Sequence, residues 1–231
     1  MAEFTYTVVR RETRQKTVSL VVDPDDSITV VVPERVRDRE IAEFVSAKSS
    51  WIRKKLEQNE KLRTLRPVRP LAAGTKILFR GQEYPLSVSH GKRAGARLVN
   101  DRLEVTLGGG AVAVEDALRS ALKAWYIEQG RIAFPERVGF FAQAIGVHPG
   151  PVSVRWMRSR WGSCSNSGRL SLNGRLMLAP PAVLDYVIVH ELCHLVELNH
   201  SPAFWRLVSD AMPGFRVHRH WLREHGSALL I

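Results

Sequence analysis

Val18, Leu20 and Val22 recur at every second position, a period that predicts a strand. Asp23-Pro24-Asp25-Asp26-Ser27 supplies turn residues. Ile28 to Val32 then reads as the return strand, stopped by Pro33. From Asp38 the period lengthens. Ile41, Phe44, Val45, Trp51, Ile52 and Leu56 fall near one face of a helix expected over about residues 38–63. Residues 64–74 (TLRPVRPLAAG) carry two prolines and no period, so they are expected to form a linker. Three further strands are predicted at Lys76–Phe79, Glu83–Ser89 and Arg102–Leu107, with Arg80-Gly81 and Asn100-Asp101 as turns. Gly108-Gly109-Gly110 marks an expected domain boundary.

The second half is mostly helical in pattern. Leu118, Leu122, Trp125 and Tyr126 give Val114–Gln129 an apolar face, and Pro135 is expected to break this helix or begin its successor. Val152–Met157 and Arg169–Asn173 are predicted strands flanking a loop, Arg158–Gly168 (RSRWGSCSNSG). Pro180 and Pro181 open a helix, since proline is tolerated in a first turn. Ser201-Pro202 is a good N-cap and first position for another, running to about Met212.

Composition narrows the setting. Hydrophobic residues make up 45% of the 231, enough for a packed core, which excludes wholesale disorder. The net charge of +11 favours acidic partners, nucleic acid among them, without bearing on fold. No apolar run approaches the roughly 18 residues of a membrane span, and MAEFTYTVVRRETRQ lacks the core of a signal peptide. The two cysteines, Cys164 and Cys193, make no disulfide framework and fit a reducing compartment. A soluble cytoplasmic protein with no membrane partner is expected.

The segment Val187–Trp205 (VIVHELCHLVELNHSPAFW) carries the chemistry. His190 and His194 are four apart, so on a helix they share one face and their imidazoles can converge on one Zn2+ ion. Glu191 lies beside that face, placed to take a proton from a zinc-activated water as the general base. This is the HExxH arrangement. A third ligand must come from elsewhere. His200 can reach the same metal only if the helix ends and the chain doubles back, because six helical residues advance about 9 Å. The spacing equals that of metzincins, whose glycine is here replaced by Glu197. Asn199 is the residue expected to take the positive φ instead. Glu197, or a carboxylate on a later helix such as Asp210 or Glu224, is the rival third ligand.

RSRWGSCS followed by RLSLNGRLMLAPPAVLDYVIVHELCHLVELNHSPAFWRLV resembles the YgjP-like family of zinc metallopeptidases, with SprT-like and WLM-type proteases as relatives. The N-terminal hairpin and its basic helix through Trp51-Ile52 look similar too, whereas residues 64–110 are less diagnostic. The resemblance implies a zincin-like fold, a small sheet above an active-site helix. It implies His190, His194 and His200 as zinc ligands and Glu191 as base. The group has been described both as peptidases and as metal-dependent nucleotide pyrophosphatases.

Arg160, Trp161 and Ser163 are expected to line the cleft, with Trp161 as a wall and Ser163 as a donor. Cys164 is either a fourth, inhibitory ligand or a packed core thiol, and packing is the more frequent fate of a free cysteine. Cys193 reads as packing. The alternating Leu170 and Leu172 mark either the upper edge strand, to which a peptide adds through its main chain, or an ordinary edge strand. One of His218, His220 and His225 is a candidate to stabilise the oxyanion. Lys48, Arg53, Lys54, Lys55, Lys61 and Arg63 around Trp51, and Arg155, Arg158 and Arg160 near the cleft, suit nucleic acid or nucleotide, or a solvated basic surface.

The expected fold is therefore α+β: a β-rich N-terminal region over 1–110 with one basic helix, then a zincin-like domain over 111–231. The expected function is a zinc-dependent metallopeptidase acting on a peptide or protein. A nucleoside triphosphate pyrophosphatase, or a nucleic-acid-associated protease or binding module, is the alternative.

Overall fold

The computed structural model describes residues 4–12, 17–23, 26–65, 70–109 and 114–231. The chain falls into two compact units, Met1–Val68 and Arg69–Ile231. The expected linker at 64–74 spans that division, although residues 66–69 lie outside those described.

In the first unit β1 (Thr7–Arg11), β2 (Ser19–Val22) and β3 (Ile28–Pro33) form a sheet in the order β1-β3-β2. β2 returns antiparallel to β3 as its pattern predicts, and β1, not foreseen, runs parallel on the other side. The expected single helix is two, α1 (Asp38–Ala47) and α2 (Ser49–Leu65), which meet at Lys48. The break lets Ile41, Val45 and Ile52 all bury against Val30 and Val32, while Trp51 stays 42% exposed. Buried Asn59 ties α2 to the hairpin by donating to the Asp23 carbonyl at 2.7 Å and to Asp26 at 3.0 Å. Lys48, Arg53, Lys54 and Lys61 are exposed, and the side chain of Arg63 lies outside the described residues.

The second unit holds a sheet in the order β4-β5-β7-β6, from β4 (Lys76–Phe79), β5 (Gln82–Gly91), β6 (Gly95–Val99) and β7 (Arg102–Gly108). Its two tight turns are those the sequence marks. Arg80-Gly81 and Asn100-Asp101 both have positive φ at the two central positions, the conformation a two-residue hairpin needs. The boundary expected at Gly110 is not where the units divide. Ile77, Leu86, Leu103, Val105 and Leu107 share one core with the helices that follow. The β4–β5 turn also docks by backbone bonds, Arg80 N–H to the Met177 carbonyl and Gly81 N–H to Leu178.

The spine of this unit is α3 (Val114–Ile145), 32 residues long and unbroken at Pro135. Proline there removes one helical hydrogen bond. Phe134, Val138 and Phe141, buried on either side of it, hold the helix together. Gly146, at φ +78°, ends it, donating to the Ala142 carbonyl. Three short strands follow, β8 (Val152–Arg155), β9 (Gly162–Cys164) and β10 (Leu170–Asn173), in the order β8-β10-β9. A 3₁₀ turn, Gly174–Leu178, leads into α4 (Pro181–Cys193), then α5 (Pro202–Ala211) and α6 (Phe215–His225). Mixed helices and sheets of this kind are the α+β class expected. Among the described residues no helix is long and apolar enough to cross a membrane.

Candidate metal centre

α4 starts at its two prolines, as expected, and is apolar nearly all round. Val187, Ile188, Val189 and Leu192 bury it deeply, and Cys193 packs beside them with no exposed surface. The helix stops at Cys193, leaving His194 as its C-cap. The chain then folds back through short turns, with Val196 and Glu197 N–H both donating to the Cys193 carbonyl. Ser201 caps α5 by accepting from Phe204 N–H at 3.2 Å. Asn199 does not have the positive φ expected of it. The reversal is achieved instead by Glu197, whose carbonyl bonds His194 and whose carboxylate accepts the Asn199 N–H at 3.4 Å.

That reversal brings His200 back to the helix. His190, His194 and His200 form a group whose ligand atoms all lie within 4.8 Å of one another. Nε2 of His190 and Nε2 of His200 are 3.0 Å apart. Two nitrogens held tetrahedrally at zinc distances stand about 3.3 Å apart, so the pair is close to that spacing. His194 bonds the Glu197 carbonyl through Nδ1 at 3.1 Å, the kind of anchoring that leaves the other nitrogen for a metal. Nδ1 of His190 is buried with no protein partner. Phe204, fully buried, floors the cluster: its ring centroid lies 4.6 Å from His194, 4.8 Å from His200 and 5.0 Å from His190. Trp205 stacks on His200, and Arg219 of α6 lies 4.3 Å over Trp205. The rival ligands are elsewhere. Glu197 is engaged as above, Glu224 pairs with His220 at 2.9 Å, and Asp210 is exposed.

Two of the three imidazoles are held in their neutral form. Burial, then the neighbouring His194, His200 and Arg219, push His190 down to about 3, and His200 is lowered for similar reasons. A neutral imidazole offers the lone pair a metal needs. The sign follows for the metal-free protein. His190 has a folded pKa below its ordinary 6.5, so its contribution to stability is complete above pH 6.5 and is lost as the pH falls towards 3. Urea midpoints of metal-free protein should therefore drop between about pH 7 and about pH 4 more steeply in the wild type than in His190→Gln. Equal slopes would show that the histidine is not held neutral.

Glu191 is 6% exposed. Burial raises its carboxyl to about 7, against the opposing pull of Arg160 and of a hydrogen bond from the Cys164 N–H. The bond comes from β9, which lay hidden in the expected loop. Cys164 itself is half-buried, its thiol directed at the Ser165 carbonyl and raised in pKa by burial and by Glu191. It is not part of the histidine group.

Leu170 and Leu172 do not line a cleft. Both are fully buried in the core, on one face of β10, and β10 is not an edge but is paired with β8 and with β9. The edge strands of this sheet are β8 and β9, and the half-buried Ser163 lies in β9. Trp161 packs against the core, gripped by the Arg175 guanidinium 4.7 Å from its ring. Of the histidines proposed for the oxyanion, His220 is engaged with Glu224 and Arg223, and His225 bonds the Trp221 carbonyl. Sequence reasoning missed Arg219, together with Asn173 and Arg175. Asn173, fully buried, donates to the Met157 and Arg160 carbonyls at 2.8 Å each and accepts from Met157 and Arg175 N–H. Two buried polar side chains after a short strand were the available signal.

A buried helix that presents two histidines to a third across a turn, with a buried carboxylate beside them, defines a metal-dependent hydrolase. The chain belongs to the YgjP-like metallopeptidase family, whose model matches residues 16–225. The structure of the metallopeptidase zymogen of Pyrococcus abyssi abylysin is similar to part of it. That likeness has 23% identity over 40% of this chain and 91% of that one, with a TM-score of 0.36. No curated protein matches the chain significantly.

Proposed function

We propose that this metallopeptidase is a zinc enzyme, with His190, His194 and His200 as ligands and Glu191 as general base. The observation that carries the reading is the convergence of three imidazoles beside a buried carboxyl raised to about 7. Zinc, when bound, supplies a Lewis acid for the scissile carbonyl and makes water acidic near neutral pH. A buried carboxylate beside the metal site can accept a proton from water and return it, so Glu191 can protonate the departing amine with the proton it took. A peptide can lie along the edge of β9, where the main-chain groups that Glu191 does not engage would bind it. Arg160 and Arg219 border the site and favour anionic groups there.

The test is a comparison of substrates. Zinc-loaded protein is given a mixture of quenched fluorescent peptides and, separately, nucleoside triphosphates. Peptide cleavage that stops with a chelator and returns with zinc is expected. Phosphate or pyrophosphate release without any peptide cleavage would overturn the reading in favour of a nucleotide hydrolase.

A further inference from the structure

We propose that Gly162 is a positioning residue for Glu191: the missing Cβ on β9 is the space in which the carboxylate is held. A Cβ built on Gly162 would stand 2.6 Å from Glu191 Oε1, 2.7 Å from Cγ and 2.8 Å from Cδ. Ordinary van der Waals contact begins near 3.4 Å, so this atom cannot be added without movement. The question is which partner moves.

The strand cannot retreat. On its far side Asn173 N–H donates to the Trp161 carbonyl at 2.9 Å. The Asn173 side chain grips the Arg160 carbonyl at 2.8 Å. Trp161 is pinned between Arg175 and Gly226, where a Cβ would stand 2.8 Å from the indole. Arg175 in turn donates to the Leu229 and Gly226 carbonyls at 2.8 and 3.0 Å. The helix cannot retreat either, since Ile188 and Leu192 on each side of Glu191 are fully buried. The Glu191 side chain is the one part free to turn.

Strand pairing shows what the carboxylate would lose. Ser165 N–H donates to Arg169 and Asn173 N–H to Trp161, and the register sets Cys164 against Leu170 and Gly162 against Leu172. In an antiparallel ladder hydrogen-bonded and non-bonded pairs alternate. The amides of Gly162 and Cys164 therefore face the free edge. Cys164 N–H is the one that bonds Glu191. Gly162 lets the side chain pass its Cα and reach that donor. The proposal rests on Glu191 being the base, and its test does not rest on activity alone.

The chain has two cysteines, so 15N-cysteine labelling gives two amide signals. In Gly162→Ala the Cys164 signal should move to where Glu191→Ala places it. If it stays at the wild-type position, the proposal fails. With a cleaved peptide, kcat of Gly162→Ala should fall about 10²-fold, as misplacement by about 1 Å can do. KM should stay within about 2-fold and zinc content should be unchanged, since β9 keeps its main-chain groups and the histidines are untouched. A kcat within about 3-fold of wild type would overturn it. Should Gly162→Ala not fold, the Gly162→Ala/Glu191→Ala double variant decides: a folded double variant places the clash on Glu191, and an unfolded one places it in the strand and sinks the idea. If the wild type cleaves no peptide, the peptidase reading fails while the amide signal still decides this one.

Discussion

Glu191→Gln should lower kcat for peptide cleavage by roughly 10²–10⁴-fold, the usual worth of a general base, while zinc content and KM stay close to wild type. The amide keeps the shape of the carboxylate and an oxygen for the Cys164 N–H, so the fold has no reason to change. It cannot accept a proton. Burial already favours the uncharged form of this side chain, with the carboxyl raised to about 7. In the metal-free proteins the neutral variant should therefore be no less stable than wild type above that pH, where the charged form is disfavoured. Kinetics of the zinc-loaded proteins and denaturation of the metal-free ones check the two halves. A variant that kept most of its activity would remove Glu191 from the chemistry and leave the raised pKa as a consequence of packing.

His200→Ala should weaken zinc binding by more than about 10²-fold, since changes merely behind a ligand already cost 10–100-fold. Its metal-free stability should hardly change, because His200 is exposed. Elemental analysis of purified protein and competition with a chromogenic chelator measure this. Glu197→Ala is the matched control. The variant removes only the long 3.4 Å bond to Asn199 N–H and keeps the Glu197 main-chain carbonyl that holds His194, so most of the metal content should persist. The opposite pattern, metal kept in His200→Ala and lost in Glu197→Ala, would transfer the third ligand to Glu197.

His190, Glu191 and His194 are legible in the sequence because helical spacing converts directly into direction. His200 is nearly so, because Ser201-Pro202 announces a new helix and forces the chain to turn. Asn199 shows the limit: the turn was foreseen, but its dihedrals depend on bonds made by Glu197. Leu170 and Leu172 show another. Alternation marks a strand, not how many neighbours it has, and β10 proved to be central. β9 is three residues long, too short for any period, so its glycine, serine and cysteine looked like loop. Pro135 misled because propensity is local, whereas α3 is held by buried aromatic residues from both sides. The boundary at Gly110 was drawn from glycines alone, and apolar contacts from Ile77 to Leu107 reach across it.

The three imidazoles and the ring beneath them come from one continuous stretch, His190 to Phe204. The wall against Glu191 is β9, paired with β10 and backed by the buried Arg175, which ties it to the carbonyls of Gly226 and Leu229 far along the chain. Closing a loop of so few residues costs little chain entropy, whereas the wall exists only when the whole sheet is in place. Holding the metal and using it thus rest on different degrees of order. On the proposed assignment, a chain that has locally opened at β9 keeps the means to retain a cation after it has lost the means to cut, so a damaged or half-folded copy of this protease would be a silent one.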